Sequence, residues 1–448
     1  MTVVELSRLL ADRQLTSREL IEQSLQAIKN PAGEGARAFI AVHELEALAA
    51  ADRVDAQRRS GAQLPVLAGI PISVKDNFDE AGRVTLAGSK VLIGTPAATR
   101  DSTAVERLKQ AGAVIIGRTN MTEFAYSGLG INPHYDTPRN VFDRAAGRIP
   151  GGSSSGAAVS VGDGMAAAAI GTDTGGSLRI PAALNGLVGF KPTARRVPLD
   201  GVLPLSPSLD SVGPIAKSVA DCVLLDRVLS AETVTALPSV AVRGLRFAVP
   251  KTVVQNDLSP AVAQAFSAAL ARLSAAGASI IEVPMTEFAE AASLNPRGAL
   301  TSVEAYAWHR KWIETGADKY DPRVVARLRP GSSITAAEHE ALLKLRERFT
   351  QEIAAAMKGY DAMLMPATAD TAPTIAEVVK DDDSYFRCNG RMLRNPAIVN
   401  LFDGCALSIP CHDPGTAPVG LMIAGIHDTD HHILALGTAM EAIVSRRA

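Results

Sequence analysis

The period of apolar and polar positions changes several times along the chain, and each change marks an element. Through residue 60 the spacing is helical: Leu6, Leu9 and Leu10 repeat on one face, and Thr16 with Glu19 has capping-box spacing ahead of Leu20, Ile21, Leu25 and Ile28. Residues 1–60 therefore read as a helical N-terminal layer. After Gly61 the apolar run Val66 to Val74 predicts a buried strand whose end delivers Lys75 and Asp76. Thr103 to Gln110 reads as a helix and Ala113 to Gly117 as a short strand. A stretch rich in small residues opens at Gly151, and Met165 to Ile170 leads into a second glycine-rich segment. Strands at Arg246 to Pro250 and Ser279 to Val283 alternate with helices at Pro260 to Ala276 and Ala336 to Met357. Further strands at Ala362 to Met365, Ala406 to Ile409 and Val419 to Ala424, and a last helix at Asp430 to Val444, keep an α/β alternation to the end. No internal repeat or low-complexity linker interrupts it, so residues 1–448 read as one continuous domain.

Composition narrows the function classes. The chain is 47% hydrophobic and 21% charged, with a formal charge of -2, which gives no electrostatic reason to expect nucleic acid. Cys222, Cys388, Cys405 and Cys411 show no Cys-x-x-Cys spacing and are too few for a disulfide framework, so a reducing cytoplasm fits best. No run approaches the roughly 18 apolar residues of a membrane span, and Met1 to Leu20 carries charges where a signal peptide needs an apolar stretch.

Two glycine-framed serines carry the strongest chemical signal: Ser153 in Pro150-Gly-Gly-Ser-Ser-Ser-Gly156 and Ser177 in Gly171-Thr-Asp-Thr-Gly-Gly-Ser-Leu-Arg179. Each alone reads as a flexible loop, but a linker does not belong between buried-looking segments with a second Gly-Gly-Ser following. Serine needs a base, and Lys75, enclosed by apolar residues, can lose its proton because desolvation penalises the charged form. Taken alone, Lys75 reads as a structural ion pair with Asp76 or another carboxylate. The glycines before Ser177 let successive N–H groups point at one spot, so Thr174, Gly175, Gly176 and Ser177 are the expected oxyanion donors.

Other constellations are weaker. Gly152-x-Ser154-x-Gly156 formally satisfies a nucleophile elbow, but no later histidine has a setting that singles it out as the base. His427 and His431 have ligand spacing on a helix, yet the segment reads as a solvated helix start, so no metal is expected. The chain has no Gly-x-x-x-x-Gly-Lys and no Gly-x-Gly-x-x-Gly, so a nucleotide cofactor is unsupported.

Gly69-Ile-Pro-Ile-Ser-Val-Lys-Asp-Asn77, Gly117-Arg-Thr-Asn-Met-Thr-Glu-Phe-Ala125, Pro150 to Gly156 and Gly171 to Pro181, in this order, resemble the amidase signature family. The later Asn395-Pro396 and Pro418-Val-Gly-Leu421 also fit. The resemblance implies a single three-layer α/β/α domain around a mixed, mostly parallel sheet, with the signature core at 67–221 and substrate-pocket elements within 222–448. It also implies a Lys75, Ser153 and Ser177 catalytic set in which Ser153 bridges through a cis peptide. By the same resemblance Ser154 is a hydrogen-bond partner of the relay, Asp173 and Arg179 hold the loop, and Ala125, Tyr126, Gly151 and Gly152 contact substrate. Ser155, Arg118 and Asp136 depart from the family's commonest residues, and none removes a catalytic group. Tyr126 reads equally as a core aromatic, and Trp308 and Trp312 as pocket wall or as packing between helices.

The function expected is cleavage of a carboxamide C–N bond without a cofactor. The expected partner is a small amide or carbamate molecule, with no nucleic acid and no membrane, and a homodimer is an allowed assembly. A carbamate, urethane or urea hydrolase is the nearest alternative. The amidase-like subunit of a tRNA-dependent amidotransferase and a catalytically silent binding protein are more distant ones.

Overall fold

The computed structural model describes residues 1–235, 237–295 and 298–445. Eleven strands enter one open sheet: β1 (Phe39–Val42), β2 (Pro71–Lys75), β3 (Val114–Thr119), β4 (Ala168–Asp173), β5 (Val188–Lys191), β6 (Ser211–Ala216), β7 (Arg246–Pro250), β8 (Ser279–Val283), β9 (Ala362–Pro366), β10 (Cys405–Pro410) and β11 (Gly420–Gly425). Their spatial order is β1-β3-β2-β4-β6-β5-β10-β11-β9-β7-β8.

Side-chain alternation makes this a three-layer molecule. In β9, β10 and β11, Leu364, Leu407, Ile409, Leu421 and Ile423 face one layer, where Val219–Ser230, Pro260–Ala275 and Asp430–Val444 pack as helices. The intervening Met363, Met365, Ala406, Met422 and Ala424 face the other, packed by Phe349 and Ile353 of helix Ala336–Ala356 and by Val399 and Leu401 of helix Asp382–Leu401. Strands buried on both faces read as continuous apolar runs, which is why the later ones were legible.

The α/β class and the mixed sheet are as expected, but the sheet is not mostly parallel. Parallel pairing is confined to β3-β2-β4 and β9-β7-β8, and every pairing between β4 and β9 through β6, β5, β10 and β11 is antiparallel, as is β1 with β3. The helix Thr103–Gln110 crosses from β2 to β3 and Pro260–Ala275 from β7 to β8, and such crossovers are what parallel neighbours require.

Three local differences have simple causes. β2 begins at Pro71 instead of Val66, because Gly69 takes φ 86° and Ile70 N–H closes a turn on the Leu67 carbonyl at 3.0 Å. The helical layer through residue 60 contains β1, four residues too short to show a period. β6 carries Pro214 in mid-sheet, opposite Ile170, a residue that argues against a central strand when read from sequence. The capping box at Thr16 and Glu19 is formed, and a second at Thr2 and Glu5 starts the first helix.

The register of β2 against β4 positions the site. Val74 pairs with Ile170, so the two parallel strands end together and bring Lys75 beside Thr172 and Asp173 at their carboxyl edge.

Candidate active site

Lys75 has no exposed surface and, among the described residues, no carboxylate partner. Its Nζ lies 2.7 Å from Ser153 Oγ and 2.8 Å from Thr172 Oγ1, with the Thr172 carbonyl at 3.5 Å. Burial pushes the ammonium down to about 7, against the opposing pull of Asp173 and Asp210. Asp76, the carboxylate next in sequence, is held instead by Arg118, whose Nε donates to it at 2.7 Å. Asn77 Nδ2 donates to Thr172 Oγ1 at 3.1 Å and fixes that hydroxyl beside the lysine.

The two glycine segments converge on this lysine. The Gly152–Ser153 peptide is cis. Ser154 N–H donates to the Ser177 carbonyl at 3.3 Å, and Ser154 Oγ donates to the Thr172 carbonyl at 3.4 Å. Ser154 is fully buried and engaged with backbone, a poor setting for the nucleophile of an elbow.

Asp173 organises the turn that carries Ser177. Its carboxylate accepts from Gly176 N–H at 2.7 Å, Leu178 N–H at 3.1 Å, Arg179 Nη2 at 2.9 Å and Asn400 Nδ2 at 2.9 Å. Burial works against its charge, but the Arg179 guanidinium and these donors hold it well below the usual carboxylate range. Gly176 takes φ 125°, and a Cβ there would fall 2.5 Å from the Pro396 ring, so the Asn395-Pro396 segment presses directly on the turn. Thr174 is fixed through its hydroxyl, which donates to Asp210. Burial raises Asp210 to about 6, while Thr174 and the N–H groups of Leu205 and Ser206 oppose the rise.

Gly176 departs from its expected role. Its N–H is engaged by Asp173, so this structure leaves the N–H groups of Thr174, Gly175 and Ser177 without a hydrogen bond among the described residues. Thr174, Gly175 and Ser177 line a cavity of about 360 Å³, and Ser177 Oγ also has no hydrogen bond among the described residues. Ala125 and Tyr126 line the same cavity.

Other residues lie elsewhere. Gly151 and Gly152 are buried off the cavity wall: a Cβ on Gly152 would meet Gly130 N at 2.5 Å, and one on Gly151 would meet Pro181 Cα at 2.9 Å. They permit close backbone packing behind Ser153 and do not touch the cavity. Trp308 packs on Phe124, ring centroids 5.9 Å apart, and Trp312 joins the same apolar cluster; neither tryptophan lines the cavity. Asp136 is exposed, in the left-handed region at φ 58°, and off the cavity. His427 pairs with Asp428 and His431 with Glu232, and no metal-binding group of three His, Cys, Asp or Glu occurs among the described residues.

Sequence reading missed Thr172, Asn77, Asp210 and Asn400. Thr172 and Asn77 stand inside the signature motifs, but only the pairing of β2 with β4 reveals their partner. Asp210 and Asn400 arrive from distant segments and had no local signal. The cavity walls contributed by Phe288, Asn295, Arg327 and Arg394 were likewise unsignalled.

Comparison with known proteins identifies the family. The family model described as Amidase matches residues 19–434. The chain is 35% identical to 2-amino-5-chloromuconic acid deaminase of Comamonas testosteroni over 89% of its length and 87% of that protein. It is 34% identical to a glutamyl-tRNA(Gln) amidotransferase subunit of Symbiobacterium thermophilum, covering 99% and 96% of the two chains. A crystal structure of an amidase superposes with a TM-score of 0.90 at 32% identity, over 99% of this chain and 100% of that one. The chain belongs to the amidase family, and its α/β fold is that of amidase signature structures. Family hydrolases act on C–N bonds.

Proposed function

We propose that the chain hydrolyses the C–N bond of a small carboxamide through a Ser177 acyl-enzyme. The observation that carries this reading is Lys75: fully buried, without a carboxylate partner among the described residues, shifted down to about 7 and 2.7 Å from a serine hydroxyl. Neutral Lys75 accepts the Ser153 proton, Ser153 accepts the Ser177 proton, and Ser177 Oγ bonds to the carbonyl carbon. The N–H groups of Thr174, Gly175 and Ser177 receive the oxyanion. The proton then returns through Ser153 to the departing nitrogen as the C–N bond breaks. Water enters by the same relay, and its attack releases the acid and regenerates Ser177.

The same relay serves a carbamate or urea-type carbonyl, and an assay of matched aryl amides, aliphatic amides, esters and carbamates separates these substrates. A fluorophosphonate probe should label Ser177, and labelling should vanish in Ser177→Ala. Labelling at Ser154 would overturn the assignment. The similarity to a component of a tRNA-dependent amidotransferase favours a second reading, an ammonia-supplying protein that needs a partner. Turnover of a simple amide by the isolated chain excludes that dependence.

A further inference from the structure

The cavity beside Ser177 is unbalanced in charge. Its described lining includes Arg327 and Arg394 and no aspartate or glutamate. Neither arginine forms an ion pair among the described residues, although both stand in a wall otherwise dominated by residues such as Leu205, Leu209, Phe288 and Ile398. A guanidinium held against apolar surface without a counter-charge is costly unless a ligand or water compensates it.

The two arginines are held differently. All three nitrogens of Arg394 are engaged, Nε by Asn395 Oδ1 at 3.0 Å, Nη1 by the Asn256 carbonyl at 2.5 Å and Nη2 by the Val254 carbonyl at 3.3 Å. Arg394 thus clamps the neighbouring loop and lends the cavity its charge. Arg327, on helix Pro322–Leu328, stacks 4.3 Å above the Tyr126 ring and donates Nη1 to the Tyr126 carbonyl, while Tyr126 OH donates back to the Arg327 carbonyl at 3.2 Å. Its Nε and Nη2 have no hydrogen bond among the described residues. Tyr126 therefore holds the guanidinium in place with donors to spare, the state of a fork prepared for an oxyanion.

We propose that the amide substrate carries a carboxylate on an apolar body, and that Arg327 receives that carboxylate while Arg394 adds attractive potential. The inference rests on the hydrolase reading for its reaction, but its binding half can be measured separately. Succinamate against butyramide, and 4-carbamoylbenzoate against 4-methylbenzamide, are pairs that replace a carboxylate by a methyl at constant shape. Wild-type kcat/KM should favour the acid of at least one pair by about 10-fold or more, and Arg327→Gln should lower that ratio by about 10- to 100-fold, chiefly through KM for the acid. Arg327→Lys, which keeps the charge but loses the fork, should restore part of the ratio and controls for folding. Arg394→Gln should lower it less.

Calorimetry on Ser177→Ala gives the second arm, with 4-carbamoylbenzoate binding more tightly than 4-methylbenzamide and losing that advantage when Arg327→Gln is added. Equal kcat/KM within both pairs, or a ratio unmoved by Arg327→Gln, overturns the carboxylate inference and leaves the hydrolase reading standing. Arg327-dependent binding of the acid by a chain that turns over none of the four amides supports the carboxylate site and removes the hydrolase reading. Neither turnover nor binding overturns both.

Discussion

Lys75 and Lys191 are matched in strand position and in burial. Each ends a strand, β2 and β5 respectively, neither has more than 1% exposure, and burial pushes both down, Lys75 to about 7 and Lys191 to about 8. Their partners differ. Lys75 meets the hydroxyls of Ser153 and Thr172, whereas Lys191 donates to the carbonyls of Pro192 at 2.6 Å and Gly404 at 2.7 Å. A hydroxyl can pass on a proton and a carbonyl cannot. Desolvation therefore makes a buried lysine easy to deprotonate, and only an exchangeable proton beside it makes a relay.

The strongest attack on this contrast removes the group that the proposed relay serves. Ser177→Ala should lower kcat by about 10⁴-fold or more in single-turnover acylation, the scale on which loss of a nucleophile is felt. The turn should persist, since Asp173 holds it through Gly176, Leu178 and Arg179. Near-normal turnover with a native melting profile would place the nucleophile elsewhere.

Replacing the lysine itself comes next. Lys75→Met should cost about 10²- to 10⁴-fold in acylation, the range for a positioned general base. In the wild type, the acylation rate should rise with pH as Lys75 loses its proton through about 7, then level off. That limb should be absent from Lys75→Met. A limb that survives would mean that another group titrates in the rate-limiting step.

Thr172→Val should act less strongly and with a defined sign. Its hydroxyl accepts from Lys75 and so favours the charged form; without it the limb should move to lower pH while the rate falls by about 10-fold through poorer positioning. A shift to higher pH would contradict the assigned donor and acceptor.

The contrast also explains what the sequence could and could not disclose. Helices such as Thr103–Gln110 and Asp430–Val444 and strands such as Ser279–Val283 end where the apolar pattern changes, because local period and burial agree there. β5 and β6 went unread because Gly189, Gly213 and Pro214 break their apolar runs, and mid-sheet packing overrides those residues. Lys75, Ser153 and Ser177 stood out as candidates because residue type and glycine framing mark them. The engagement of the Gly176 N–H by Asp173 was not, since it depends on one backbone turn. Arg327 and Arg394 lie in helices far along the chain whose local pattern says nothing of the cavity they share with Ser177.

The smallest effect on turnover is expected from Lys191→Met, and it is the sharpest test of the comparison. Lys191 has no hydroxyl partner among the described residues, so its replacement should change acylation by less than about 3-fold and leave the limb near pH 7 in place, because a group without a proton path has no hold on the transition state. Its signature should appear in stability instead. The folded Lys191 releases its proton near pH 8 while the unfolded side chain keeps it to about 10.5, so between those values the unfolded state binds more protons and stability rises with pH. Lys191→Met should remove that rise, worth roughly 3 kcal/mol across the window, and should leave the Pro192 and Gly404 carbonyls without their donor at about 1–3 kcal/mol each. Denaturant midpoints measured between pH 7 and pH 10.5 read both effects. A Lys191→Met protein that folds normally but loses the pH limb of acylation would assign that limb to Lys191 and show that a hydroxyl neighbour is not what makes a buried lysine work in this chain.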